Sequence, residues 1–207
     1  MATNIVTAQG IGPLLSRILT ARGFAAHAGA SIGAVDYIAN CANATALTTG
    51  AMAAGTLRAL PFVAPARGGT LDRIAAEVTT AAASQNIRLG LYRNKTGEAD
   101  IYPGALLADS GSISSGTTGV KSYSLSQALE PGKIYWLVLN TSASITMRGL
   151  AVGGVSHFLG MATAATTALN LYISATLAYG AMPDPFTAGG AYVTAVPCPV
   201  LRYRFSA

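Results

Sequence analysis

Charge is scarce in this chain. Only 10% of its 207 residues are Asp, Glu, Lys or Arg, against about 25% in an ordinary soluble protein. Eight acids face thirteen Lys and Arg, so the net charge of +5 comes from missing acids rather than from basic clusters. The basic residues are scattered and not interleaved with aromatics, which argues against a nucleic-acid groove. Aromatics make up 7% although apolar residues make up 51%; much of the apolar count is Ala. With Gly, Ser and Thr, this gives a surface of small, uncharged side chains, poorly defended against association. Part of it is expected to be covered in a homo-oligomer or a larger assembly.

Cysteine is nearly absent: Cys41 and Cys198 sit far apart in the chain. Two free thiols packed as small apolar groups are expected, with a disulfide as the alternative if first and last strands are neighbours. The two histidines, His27 and His157, have no Cys, His or carboxylate at ligand spacing, so no metal site and no cofactor is expected. No phosphate loop or dinucleotide fingerprint occurs. The run 29–33, Gly-Ala-Ser-Ile-Gly, matches a nucleophile elbow around Ser31, with Asp109 and His157 downstream. That motif needs a strand before it and a helix after it in a parallel sheet, a setting this chain does not offer, so no enzyme is expected. No apolar run is long enough for a membrane span, and no secretory signal is visible. A product made in the cytoplasm follows, and the glycosylation triplets at Asn43, Asn94 and Asn140 are chance matches.

What is present is alternation. Runs at 57–63, 71–79, 87–92, 120–125, 133–140 and 144–150 alternate apolar and polar residues and end on Gly, Pro, Asn or Ser. A period of two is the mark of a half-buried strand. Ile87, Leu89 and Leu91 share one face, with Arg88, Gly90 and Tyr92 on the other. The run 134–139 is apolar on both faces and reads as a central strand. Trp136, within it, reads as a core residue, with ligand stacking as the alternative. Further strands are expected at 35–39, 105–108, 169–177, 192–196 and 201–205, with a long loop at 181–190 holding Pro183 and Pro185. Nine to eleven short strands with turn signals predict an all-β, antiparallel β-sandwich, jelly-roll-like, over residues 35–207.

Residues 1–34 differ. Pro13 suits a helix start and Gly23 its end, and Leu14, Leu15, Ile18 and Leu19 fall on one helical face. A helix of about three turns is marginal alone. It is expected either to attach or oligomerise the protein through those four residues or to pack on the sheet edge.

The segments ATALTTGAMAAGTLRALPF, TLDRIAAEVTT, IRLGLYRN, YPGALLADSG and TTGVKSYSLSQALEPGKIYWLVL, with the terminal RYRFSA, resemble tailed-bacteriophage virion proteins of the tail-fibre, head-fibre and receptor-binding-like kind. The resemblance covers 37–207. It implies a homotrimeric jelly-roll appendage on the virion, assembled in the host cytoplasm and attached to other virion proteins by its N-terminal arm. It supplies no set of functional residues. Tyr92, Tyr102 and Asp109 are the outer-loop candidates for a host-surface glycan, because aromatic faces and carboxylates suit sugar contacts. Asp100 and Asp109 also flank the Tyr-Pro-Gly turn, where carboxylates can cap turns or touch Ca²⁺. The alternatives are a capsid decoration or tail-associated protein without receptor binding and, remotely, a carbohydrate-active enzyme.

Overall fold

Every alternating run from residue 57 onward becomes a strand. The computed structural model describes residues 38–39, 47–65, 68–95, 101–150, 170–194 and 198–206. In chain order the strands are β1 (Ile38–Ala39), β2 (Leu47–Met52), β3 (Thr56–Val63), β4 (Gly69–Thr80), β5 (Asn86–Asn94), β6 (Pro103–Asp109) and β7 (Ile113–Ser114). They continue as β8 (Gly119–Leu129), β9 (Ile134–Thr141), β10 (Ile145–Leu150), β11 (Tyr172–Thr176), β12 (Ala191–Val193), β13 (Cys198–Pro199) and β14 (Leu201–Phe205). No helix occurs among the described residues. The N-terminal helix with Leu14, Leu15, Ile18 and Leu19, the domain boundary near residue 34, and Ser31, His27 and His157 all lie outside them.

The strands form two antiparallel sheets. Sheet A runs β1-β14-β4-β10-β13, with β2 added on β10 and β8 on β4. Sheet B runs β12-β11-β3-β9-β5-β6, with β7 added on β5. The main core lies between them. Ile74, Ala76 and Val78 of β4 and Leu201 and Tyr203 of β14 come from sheet A. They meet Ile87, Leu89 and Leu91 of β5 and Tyr135, Leu137 and Leu139 of β9 from sheet B. Phe62 of β3 crosses to Tyr203 of β14, ring centroids 4.4 Å apart. The protein is therefore an all-β sandwich, and the faces read from alternation are the faces the core uses.

β9 is the central strand of sheet B, and Tyr135 to Thr141 are buried on both faces, as a run without polar alternation requires. Its neighbours are β3, paired through Arg58↔Leu139 to Val63↔Ile134, and β5, paired through Ile87↔Thr141 to Arg93↔Tyr135. Asn140 is fully buried, so its glycosylation triplet is inaccessible in the fold.

Several expected bounds shift. Fourteen strands occur among the described residues, more than nine to eleven: β2, β7 and β13 add to the runs named above, the last two with only two residues each. Such pieces carry too little sequence for a period to show. The Tyr-Pro-Gly turn gives way to a strand at Pro103, and the closing strand expected at 192–196 is instead β12, at the edge of sheet B. The strand expected at 169–177 starts at Tyr172, because Asn170 and Leu171 are buried ahead of it rather than alternating. β1 pairs with β14, so the first described strand does neighbour the last. Cys198 is buried, while Cys41 lies outside the described residues.

Candidate functional site

The three candidate ligand residues are gathered into one place, and it is closed. Residues 177–190 form a loop laid across the outer face of sheet B. Sheet B therefore has a second apolar cluster on its far side: Leu57 and Ala59 of β3, Tyr92 of β5, Trp136 and Val138 of β9, and Ile173 and Ala175 of β11. The loop contributes Met182 and Phe186, both buried, as two plugs. Phe186 meets the rings of Tyr92 and Tyr102 edge-on, at centroid distances of 5.3 and 5.8 Å, the geometry that ring quadrupoles favour.

Polar groups fix the loop at each step. The Tyr92 hydroxyl donates to the Pro183 carbonyl at 2.8 Å. The Tyr102 hydroxyl donates to the Thr187 carbonyl (2.7 Å) and accepts from the Gly190 amide (2.8 Å). Asp109 Oδ2 accepts from the Met182 amide at 3.0 Å and is paired with the Arg88 guanidinium, while Asp109 Oδ1 takes the Gly111 amide. Asp184 Oδ1 accepts from the Leu106 amide at 3.0 Å, and the Phe186 amide donates to the Gly104 carbonyl at 2.9 Å. The Tyr179 hydroxyl bridges the Ile87 carbonyl and the Ser112 hydroxyl, and its ring stacks near Arg88.

Two glycines make room for this. A Cβ on Gly90 would stand 2.1 Å from Met182 Sδ, and one on Gly104 would stand 2.9 Å from Lys95 Cα. The first lets the loop's sulfur lie on the strand. The second lets β6 start against the end of β5, where the neighbour is backbone and cannot yield.

Tyr92 is thus not an outer-loop residue. It is 0% exposed, in the middle of β5, because the face opposite the leucines is covered too. Burial, and then the nearby Asp109 and Asp184, push its hydroxyl pKa well above the ordinary tyrosine value. Asp109 is no free carboxylate either, since both oxygens accept hydrogen bonds from within the fold. Tyr102 is half-buried with its hydroxyl used twice. Trp136 is fully buried and donates from Nε1 to Asn94 Oδ1 at 2.9 Å, which makes it a core residue and not a stacking platform. Asp100 lies outside the described residues.

The five described carboxylates are all engaged. Asp72 pairs with Arg204, Glu77 with Arg148 and Arg202, Asp109 with Arg88, and Glu130 with Arg93; Asp184 holds the Leu106 amide. Hydrogen bonds from Arg148, then from Arg202, hold the Glu77 carboxyl below the usual carboxylate range against its partial burial. No group of three or more His, Cys, Asp or Glu that could hold a metal ion occurs among the described residues.

Sequence reasoning missed two features. Arg58 is buried, donating its guanidinium to the Ala53 carbonyl at 3.2 Å, and burial lowers its pKa. The other is the loop itself, whose Met182 and Phe186 stand four residues apart among Pro, Gly and Ala, a spacing with no strand period to mark it. No protein-family model matches the chain, and comparison with curated proteins gives no significant match.

Proposed function

We propose that this chain is a structural protein of a tailed-bacteriophage particle, a tail- or head-fibre-like subunit that displays a jelly-roll sandwich. The observation that supports a display role over chemistry is the commitment of its polar groups: each described carboxylate holds an arginine or a backbone amide of its own fold. The phage setting rests on the resemblance of the strand motifs to virion proteins, which also implies a trimer held to its neighbours by residues 1–34. Repeated display raises avidity through effective concentration even where one site binds weakly.

Host-surface glycan attachment is the first form of this reading. With Tyr92 and Asp109 occupied inside the fold, such contacts fall to what the loop leaves outside: the exposed flank of Tyr102 and, on β12, Tyr192, which is 52% exposed. The enclosure of Tyr92 favours the second form, a capsid decoration or tail-associated protein that binds no receptor. One pair of measurements tests both. Purified protein added to host cells should compete with phage adsorption under the first form. Under the second it should leave adsorption unchanged, and particles lacking it should lose resistance to heat or salt. Immunogold labelling that finds the chain in infected cells but never on particles would remove the whole reading.

A further inference from the structure

The two sheets treat their edges differently. On sheet B, β12 is three residues long and β7 two. The edge of β6 is occupied, since the Gly104 carbonyl takes the Phe186 amide and the Leu106 amide goes to Asp184. On sheet A, β8 runs for eleven residues and pairs only with β4 among the described residues. Its second edge carries a row of backbone donors and acceptors that no described strand pairs. Native proteins normally guard such an edge with proline, charge, short length or a bulge. β8 reads GVKSYSLSQAL, with no proline, no acid and one lysine. Its one irregularity falls beyond Ser124, where the register on β4 shifts. From Gly119 to Ser124 the strand is regular, and no other described strand pairs with it.

We propose that this edge pairs with a second copy of the chain, β8 against β8, antiparallel, on a two-fold axis normal to the sheet and midway between the two Ser122 residues. The occupant is chosen by the sequence of the strand itself. About that axis Ser122 meets Ser122, Val120 meets Ser124 and Gly119 meets Leu125. Lys121 of each copy lies across from Tyr123 of the other. Each cross-strand pair then keeps both residues on one face, as an antiparallel ladder requires. The only charge in β8 meets an aromatic ring rather than its own kind, so no like charges oppose. On the inner face, Tyr123 and Leu125 are only partly buried although they pack against the main core; a second β8 covers the flanks left open. On the outer face, Val120, 56% exposed, gains a neighbour. Strand addition of this kind draws affinity from main-chain hydrogen bonds and register from alternate side chains. The pairing does not depend on the virion reading. It is two-fold, so it adds to a three-fold assembly and cannot by itself produce one.

Sedimentation equilibrium of the full chain tests this, beside hydrogen exchange at two protein concentrations. Expected are even-numbered species that dilute to smaller ones, with amides of residues 119–125 protected only in the associated form. Ser122→Lys puts two ammonium groups face to face at the axis and should weaken association about tenfold or more, with thermal unfolding of the dilute protein unchanged. Mixing it with Ser122→Asp should restore association. Three results would overturn the proposal: a wild-type monomer at all concentrations, an oligomer indifferent to the charge at position 122, or β8 protection that does not depend on concentration. The last would mean that a segment of the same chain sits on the edge.

Discussion

The outer faces of the two sheets solve one problem in opposite ways. Sheet B carries aromatics and aliphatics on its far side and hides them under residues 177–190. Sheet A carries arginines there and ties them down with two acids: Glu77 between Arg148 and Arg202, and Asp72 on Arg204. In a chain with so few charges, this concentrates three of the five ion pairs seen among the described residues on one face. The comparison teaches where stability resides. Burial of large apolar side chains is worth kilocalories each, whereas part-exposed ion pairs are screened and contribute little.

The difference can be broken most severely at Phe186. Phe186→Ala empties the space between Tyr92 and Tyr102 and should cost about 3 kcal/mol, read by chemical denaturation, with faster exchange of the Met182 and Gly190 amides. Loss of less than a third of that would mean that the loop is not a cover for the second cluster. A smaller effect belongs to Tyr92→Phe, which removes one buried hydrogen bond and should cost about 1 kcal/mol. It also carries a pH signature. The folded protein keeps the Tyr92 proton to a higher pH than the unfolded chain, whose tyrosines ionise near 10.0. Wild-type stability should therefore fall as pH rises above that value, and the variant should fall less steeply. The smallest effect is expected on sheet A. The Glu77 pKa is lowered by its arginines, so its contribution is present above the unfolded value of 4.5 and is lost as pH drops through the folded one. Glu77→Gln should lower stability at neutral pH only slightly, and flatten the acid limb by that same small amount. A loss at neutral pH as large as that of Phe186→Ala would invert the ranking of the two faces.

The same contrast explains what was legible in the sequence. Ile87, Leu89 and Leu91, or Leu201 and Tyr203, announce their face because a single core lies on one side and solvent or ion pairs on the other. Alternation assigns them correctly. Tyr92 has the same alternation and misleads, because its side of β5 is covered by a loop that follows it by some ninety residues. No local pattern reports a cover that arrives from elsewhere in the chain. Trp136 was readable as core because its strand is apolar on both faces. The candidate site was legible only as a set: Tyr92, Tyr102 and Asp109 do converge, and what they meet there is the backbone of residues 182–190.

The tethers of residues 177–190 reach far back along the chain, spanning 73 residues from Asp109 to Met182 and 91 from Tyr92 to Pro183. Their partners on the sheet stand on β5 and β6, so the loop is expected to be among the last parts to settle. Damage to it should leave the refolding rate nearly untouched and accelerate unfolding instead. The lifetime of the native protein, rather than the speed of its formation, is what this segment is expected to govern.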